Sequence, residues 1–326
     1  MGKFKVVVTD YLFKDFSPFM KTIEKIDADV FYYQCYDENE LAKIVADADA
    51  VYVHFAPLTR KVIEVMKCCK VISRSSAGYE NIDIQAATDC NINVAYVPDY
   101  GTDDVSDHAI MLIMACVKKL WKLALSARRR EWNYDLARPI HRIKGSTLGL
   151  VGFGRIAQLV GKKAQALGMK VITADPFIPG EIASKLGVEL VDLDTLLKES
   201  DVISVHAPLG EKTKHLINSK AFDLMKNSAY IVNTARGAVI CEADLVDALK
   251  KGKIAGAALD VLEKESENAK DPLAEGNPLL EMENVLITPH SAFYSEEAIE
   301  ALLSSAADEI VRCYNGQPPR FLANKR

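Results

Sequence analysis

Residues 147–160, TLGLVGFGRIAQLV, decide the fold of this chain. An apolar run ends at Val151, the turn Gly152-Phe153-Gly154 follows, and apolar residues at helical spacing begin at once. A strand that passes through a glycine turn directly into a helix is typical of the first unit of a doubly wound α/β sheet. The amides at the N-terminus of such a helix bind phosphate groups.

A carboxylate further along the chain indicates which ligand this turn binds. Asp175 lies about twenty residues beyond the turn, at the end of the next predicted strand, where it can accept both ribose hydroxyls of a dinucleotide. Gly152 permits the tight turn, Gly154 lets the backbone approach a pyrophosphate, and Ala157 is small enough to pack helix on strand. Pro176 follows Asp175, where an arginine would pair with a 2′-phosphate. We therefore predict NAD as the cofactor, in preference to NADP.

Short β-branched runs alternate with amphipathic segments on both sides of the turn, which predicts parallel sheets covered by helices. The predicted strands are residues 4–8, 30–33, 50–54, 71–73, 94–96, 147–151, 170–174, 202–206, 229–233, 254–260 and 285–288. A chain of 326 residues with two such series contains two domains.

Two long helical patterns suggest how the domains connect. Residues 105–129 read as one continuous helix without proline or glycine, and residues 295–314 form an amphipathic helix after the last strand. The fold class is therefore α/β, with two Rossmann-like doubly wound domains. We predict a nucleotide-binding domain of residues 101–291, inserted into a smaller, flavodoxin-like domain of residues 1–100 and 292–326.

Bulk properties exclude several classes of protein. The net charge is −5 with both signs interspersed, so neither nucleic acid nor an anionic membrane surface is expected as a partner. The seven cysteines form no C-x-x-C pair and no histidine-associated spacing, so we expect reduced thiols and no metal site. A secretory signal and an apolar run of about 20 residues are both lacking, which predicts a cytoplasmic protein.

Three segments place unusual polar residues after predicted strands: Arg236 after residues 229–233, Asp260 and Glu265 after 254–260, and His290 after Pro289. Parallel strands present such residues at one edge of a sheet. Reduction of a 2-keto acid needs a cation for the carboxylate and a proton donor, which arginine and a carboxylate-paired histidine can supply. Taken singly, each residue also has a structural explanation, such as an ion pair or a hydrogen-bonded strand end.

Several motifs along essentially the whole chain resemble the D-isomer-specific 2-hydroxyacid dehydrogenase family, with the greatest similarity to its C-terminal-binding-protein-like and phosphoglycerate-dehydrogenase-like branch. These motifs are SAGYENID at 76–83, VSDH at 105–108, the glycine turn, SDVISVHAP at 200–208 with Thr213, NTARG at 233–237 and TPH at 288–290. The resemblance implies an NAD(H)-dependent D-2-hydroxyacid dehydrogenase. It also leaves open an NAD-sensing corepressor-like protein, for which an additional module would be expected, and phosphoglycerate dehydrogenase.

The resemblance also implies roles for particular residues. Arg236 would bind and polarise the substrate, His290 would be the general acid/base with Glu265 as its partner, and Asp260 would hold the nicotinamide carboxamide. The implied cofactor-binding residues are Gly152, Gly154, Arg155, Ile156, Asp175, His206, Ala207, Pro208, Thr213, Thr234, Ala235, Arg236, Asp260 and His290. The implied substrate-binding residues are Arg74, the amides around Ala77 and Gly78, Tyr100 and Phe293, with His54 and Phe55 nearby.

Three positions depart from the family pattern. Ser76 and Ala157 occupy positions where the family often has glycine, and Ser266 replaces the proline that commonly follows the catalytic glutamate. The long helix and the resemblance together predict a homodimer.

Overall fold

The computed structural model describes residues 3–265 and 276–324. Ser266, one of the departures from the family pattern, lies outside them. The chain forms two compact units, the first made of Met1–Gly101 with Tyr294–Arg326 and the second of Thr102–Phe293.

Twelve strands and twelve α-helices are found in the described ranges, together with three short 3-10 helices. The strands are β1 (Phe4–Val8), β2 (Ala28–Tyr32), β3 (Ala50–Val53), β4 (Val71–Arg74), β5 (Asn93–Tyr96), β6 (Thr147–Val151), β7 (Lys170–Ala174), β8 (Glu189–Leu190), β9 (Val202–Val205), β10 (Tyr230–Asn233), β11 (Gly256–Leu259) and β12 (Val285–Ile287). The helices are α1 (Ser17–Ile23), α2 (Glu38–Ile44), α3 (Arg60–Ile63), α4 (Ile84–Asp89), α5 (Thr102–Lys118), α6 (Leu120–Arg128), α7 (Arg155–Ala166), α8 (Gly180–Lys185), α9 (Leu193–Glu199), α10 (Ser219–Leu224), α11 (Glu242–Lys250) and α12 (Glu296–Tyr314).

The first unit contains a parallel sheet in the order β2-β1-β3-β4-β5. This 2-1-3-4-5 order is the flavodoxin-like arrangement. Strands β3 and β4 are buried along their whole length, as expected of central parallel strands with helices on both faces. α12 packs on α1 and β4, and the Ser73 hydroxyl donates to the Ala306 carbonyl at 2.7 Å. The C-terminal helix therefore completes the core of the N-terminal unit.

The second unit contains a parallel sheet in the order β12-β11-β10-β9-β6-β7-β8. Strand order reverses between β6 and β9, and ligands bind at the carboxyl ends of the strands at such a reversal. Apolar side chains fill both faces, one around Phe222 and Leu245 and the other around Phe153 and Ile113. The prediction of two Rossmann-like α/β folds is confirmed.

Two details of the predicted elements are wrong. Residues 105–129 form two helices, because Lys119 adopts a left-handed conformation (φ 49°, ψ 40°) between α5 and α6. On α6, the Trp121 indole donates to the Glu283 carbonyl at 2.8 Å, a tertiary contact that helical periodicity cannot reveal. The second sheet also has a seventh strand, β8, whose two residues are too few to show an alternating pattern.

In the described parts of the chain, every helix is too short or too polar to cross a bilayer.

Candidate active site

The glycine turn between β6 and α7 has the geometry of a phosphate-binding turn. Gly152 has φ of +87°, and a Cβ there would lie 3.0 Å from the Ala207 amide nitrogen. Gly154 is the N-cap of α7 and has no side-chain cap, while a Cβ on it would meet no described atom within 4 Å. The first glycine is therefore required by close packing, and the second leaves open space before the helix amides, which suits a pyrophosphate.

Asp175 lies at the carboxyl end of β7, beside this turn. Its Oδ2 accepts from the Phe153 amide and its Oδ1 accepts from the Phe177 amide, both at 2.9 Å. These bonds orient a half-buried carboxylate next to the glycine turn, and each oxygen retains a lone pair for a ribose hydroxyl.

The loop after β9 contains the predicted residues His206, Ala207, Pro208 and Thr213. The Thr213 hydroxyl donates to the Pro208 carbonyl at 2.6 Å, which closes the loop next to Gly152. The His206 ring shares a 2.9 Å hydrogen bond with the Ser204 hydroxyl, and burial lowers the pKa of His206 to about 4. His206 is therefore a neutral residue at pH 7, and this part of the site carries no cationic imidazole.

The segment after β10 is organised by Asn233. Its side chain accepts from the Ala235 amide and donates to the Arg236 carbonyl, both at 3.0 Å. The Thr234 hydroxyl is buried and has no hydrogen-bond partner among the described residues. Because a buried hydroxyl without a partner is unfavourable, this oxygen fits a polar group of a bound ligand. With the open turn at Gly154, the observation agrees with a dinucleotide site.

His290 and Glu265 form the predicted pair. The Nδ1 atom of His290 contacts Oε1 of Glu265 in a short hydrogen bond. The side chains are 42% and 27% exposed, so the pair is accessible and Nε2 is the ring nitrogen directed away from this bond. A carboxylate on Nδ1 fixes the orientation of the imidazole ring. Nε2 is therefore the ring nitrogen placed for a contact with a ligand.

Asp260 is buried beneath the loop that carries His290. Its carboxylate accepts from the Ser291 and Ala292 amides at 2.9 Å and from the Thr288 hydroxyl at 2.5 Å. His108 Nε2 lies 3.4 Å from it. Burial alone would raise the pKa of Asp260, but these hydrogen bonds together hold the pKa below its usual range. The implied role of Asp260 toward the carboxamide stays a prediction, while its contacts to the loop are direct.

Arg236 follows β10 at the same sheet edge as the pair. One guanidinium nitrogen, Nη1, donates to the Ala235 carbonyl at 2.8 Å, and the side chain is half-buried. β10, β11 and β12 are adjacent and parallel, so the segments of Arg236, Glu265 and His290 follow three neighbouring strands. Phe293 is close to the histidine, with ring centroids 6.3 Å apart.

The remaining predicted substrate residues belong to the first unit. Arg74 is buried at the end of β4, where Nε donates to Asn81 at 2.9 Å and the guanidinium lies 5.9 Å from the Phe55 ring. Burial lowers the pKa of Arg74 to about 10, although the negative charges of groups that include Asp10 and Tyr100 act to raise it. Arg74 and Tyr100 therefore interact electrostatically.

The predicted anion-binding loop follows Arg74 directly. The Gly78 amide donates a long hydrogen bond of 3.3 Å to the Ser76 hydroxyl, while Ala77 is exposed. Ser76, the departure from glycine, thus contacts the amide that the resemblance assigns to a carboxylate. These loop assignments stay predictions.

Sequence reasoning assigned no role to His108 or Thr288, although both belong to motifs of the resemblance. His108 Nε2 and the Thr288 hydroxyl are 3.0 Å apart, and both contact Asp260. The only signal in the sequence was their presence in the VSDH and TPH motifs, because 180 residues separate them.

Comparison with known proteins agrees with this geometry. Residues 110–292 match the family model described as D-isomer specific 2-hydroxyacid dehydrogenase, NAD binding domain. A hydroxypyruvate reductase of Thermotoga maritima is 37% identical over 91% of this chain and 94% of its own. The chain belongs to the D-isomer specific 2-hydroxyacid dehydrogenase family.

Other members of this family are similar over nearly the whole chain. A D-3-phosphoglycerate dehydrogenase of Methanocaldococcus jannaschii is 39% identical over 98% of the chain, which spans 59% of the length of that relative. The crystal structure of D-lactate dehydrogenase from Aquifex aeolicus, complexed with NAD and lactic acid, matches with a TM-score of 0.87 and 29% identity, covering 98% of this chain and 99% of that one. The family model that matches residues 110–292 is that of an NAD-binding domain, so the second unit of this chain is an NAD-binding domain.

Proposed function

We propose that this family member is an NAD(H)-dependent D-2-hydroxyacid dehydrogenase that acts as a 2-keto acid reductase. The observation that carries the proposal is the contact between His290 Nδ1 and Glu265, on the sheet edge that also carries Arg236. Reduction of a 2-keto acid requires a proton donor, which a paired histidine can be, and a cation for the carboxylate, which an arginine provides.

NADH, when bound, would supply the hydride that reduces the 2-carbon. His290, held by Glu265, donates a proton from Nε2 to the keto oxygen, and in the reverse direction the same nitrogen accepts it. Arg236 binds the substrate carboxylate and polarises the carbonyl beside it. The turn at Gly152 and Gly154 and the Asp175 carboxylate hold the dinucleotide, and Asp175 disfavours a 2′-phosphate, which gives preference to NAD over NADP.

We also propose that the first unit contains substrate-binding residues of its own. Arg74 is a buried cation close to Tyr100, and the amides of Ala77 and Gly78 follow it in the chain. A buried guanidinium that retains its charge favours an anionic substrate. Small 2-keto acids fit this chemistry. Two of them, hydroxypyruvate and glyoxylate, occur in the names of relatives, a hydroxypyruvate reductase and a glyoxylate reductase.

Initial rates of NADH oxidation would test the proposal with pyruvate, hydroxypyruvate, glyoxylate, phenylpyruvate, branched 2-keto acids and 3-phosphohydroxypyruvate, with NADPH in parallel. We expect turnover of at least one keto acid and weak use of NADPH. Turnover of 3-phosphohydroxypyruvate alone would identify a phosphoglycerate dehydrogenase. NADH binding without turnover of any compound would contradict the proposal in favour of an NAD-sensing protein.

Substitution of the proton donor would test the mechanism. His290→Gln should reduce kcat by about 10²–10⁴-fold, the usual contribution of general acid/base catalysis, while NADH affinity stays nearly unchanged. Fluorescence titration with NADH separates binding from turnover, and the exposed His141→Gln provides a matched control. A His290→Gln enzyme with the kcat of the unsubstituted protein would refute the assigned role.

We also propose a homodimer formed through the second unit. Large apolar side chains are exposed between residues 111 and 140, namely Met111, Leu120, Leu125, Trp132, Tyr134 and Ile140. Trp132 is 97% exposed, and apolar side chains of this size are commonly covered by a partner.

All seven cysteines have free thiols, which supports the proposal of a cytoplasmic protein.

A further inference from the structure

Three side chains with metal-binding chemistry meet in the second unit, apart from the His290 and Glu265 pair. His215 lies in the loop before α10, Cys241 is the N-cap of α11, and Glu263 follows β11. One ligand atom from each lies within 4.8 Å of the other two. We propose that His215, Cys241 and Glu263 bind a Zn²⁺ ion, with water as the fourth ligand.

The three ligand types and their spacing suit zinc. Imidazole nitrogen, thiolate and carboxylate are the side-chain ligands of protein-bound Zn²⁺. In a tetrahedral zinc site the ligand atoms are roughly 3.5 Å from one another, given bonds of about 2.0–2.3 Å. The present separations, from 2.5 Å between His215 Nε2 and Glu263 Oε1 up to a limit of 4.8 Å, bracket that value. Small side-chain rotations would therefore complete the geometry.

Backbone hydrogen bonds fix two of the ligands relative to each other. The His215 amide donates to the Ala238 carbonyl at 2.8 Å, the Ile217 amide to Val239 at 3.1 Å, and the Cys241 amide back to Ile217 at 2.9 Å. The loop before α10 and the loop before α11 are thus joined like two short parallel strands. His215 and Cys241 do not depend on a metal to come together.

The third ligand is oriented by a neighbouring backbone amide. Oε2 of Glu263 accepts from the Glu242 amide at 2.9 Å, and the Glu263 amide donates to the Glu242 carboxylate at 3.1 Å. Oε1 therefore faces His215, and a hydrogen bond to the other oxygen is the support that metal-ligating carboxylates commonly have.

Charge and access also favour a divalent ion. A thiolate and a carboxylate supply two negative charges, which balance Zn²⁺, while His215 binds as a neutral ligand. The His215 and Glu263 side chains are 38% and 24% exposed, so solvent can reach the ion and supply the fourth ligand. Hard cations such as Mg²⁺ prefer oxygen ligands alone and would be poorly served by the thiolate.

The ion would connect two segments that carry proposed active-site residues. Cys241 follows Arg236 in the loop after β10, and Glu263 precedes Glu265 in the loop after β11. The role of the ion is structural, since it takes part in no step of the proposed reaction. The zinc site and the proposed dehydrogenase activity can therefore fail independently.

Metal-free protein, prepared by dialysis against a chelator and then against buffer, would be titrated with ZnCl₂ in a calorimeter and with CoCl₂ in a spectrophotometer. We expect one Zn²⁺ per chain, a higher Tm, and a thiolate-to-cobalt charge-transfer band. Cys241→Ser should abolish that band, and Cys241→Ser and His215→Asn should each weaken zinc binding by at least roughly tenfold. The exposed Cys68→Ser and His141→Asn are matched controls that should bind as the unsubstituted protein does.

Zinc binding that is absent, or that is unchanged in both Cys241→Ser and His215→Asn, would overturn the proposal. Loss of binding in a control variant would place the ion elsewhere and overturn it as well. His215→Asn keeps the proposal testable if Cys241→Ser does not fold, because His215 is not part of a helix cap.

Discussion

His290 has a left-handed backbone conformation, with φ of 48°, which a non-glycine residue adopts when its surroundings hold it there. Its amide donates to the Asp260 carbonyl at 2.9 Å, and the next two amides donate to the Asp260 carboxylate. The imidazole is thus held from two sides, by Glu265 through the ring and by Asp260 through the backbone. The proposed proton transfer at Nε2 would depend on both.

Replacement of Glu265 tests the ring contact. In Glu265→Gln the imidazole loses the carboxylate that orients it, so kcat for keto acid reduction should fall while NADH affinity stays nearly unchanged. Initial rates of NADH oxidation and fluorescence titration with NADH would measure the two quantities. A kcat equal to that of the unsubstituted protein would remove Glu265 from the pair.

The lowered pKa of Asp260 predicts that acid destabilises the loop that carries His290. Its pKa is lower in the folded protein than in the unfolded chain, so its stabilising contribution is complete above the ordinary aspartate pKa of about 3.9 and is lost as the pH falls through the folded value. Asp260→Asn should lower the Tm at pH 7, and the deficit should shrink as the pH falls below about 3.9 and through the folded pKa, where the native carboxylate also becomes protonated. Thermal unfolding at several pH values would show this convergence. A deficit that is independent of pH would show that charge is not the cause.

At the scale of elements, three adjacent parallel strands bring their following loops to one edge of the second sheet. Gly237, in the loop after β10, allows the closest of these approaches, because a Cβ there would lie 2.0 Å from the Leu262 carbonyl group. The neighbour is backbone, which cannot rotate away. Packing between loops therefore sets the positions of Arg236 and Glu265.

Gly237→Ala should disturb both loops. We expect a destabilisation of about 1–3 kcal/mol or more, as for other overpacked sites, together with a reduced kcat. Urea unfolding and initial rates would measure the two effects. Gly180→Ala is the matched control, since its Cβ would meet only Leu190 at 3.9 Å. Equal stability of the two variants would contradict the close approach.

At the scale of the whole molecule, the net charge of −5 is modest and opposes self-association only weakly. The exposed apolar side chains between residues 111 and 140 give a second copy of the chain a surface to bury. A stable dimer requires about 800 Å² per partner, and large aromatic residues usually contribute most of the binding energy.

Trp132→Ser should therefore weaken the proposed dimer. Light scattering at micromolar protein concentration should give a dimer mass for the unsubstituted chain and a mass closer to the monomer for the variant. Ile182→Ser, which removes an exposed apolar residue on α8, is the control and should leave the mass unchanged. A monomer mass for the unsubstituted chain would end the proposal.

The sequence by itself determined the features that depend on local pattern. The glycine turn, the strand series and Asp175 could be read because a phosphate-binding turn and a parallel strand are encoded within a few consecutive residues. His290, Glu265 and Arg236 were recognised as strand-end residues for the same reason.

Only the tertiary structure decided the contacts between residues that are distant in the chain. The break at Lys119, the contact of His108 with Thr288 and Asp260, and the cluster of His215, Cys241 and Glu263 left no periodic signal. Each involves segments that are distant in the chain, and their packing is determined by the whole core rather than by neighbouring residues.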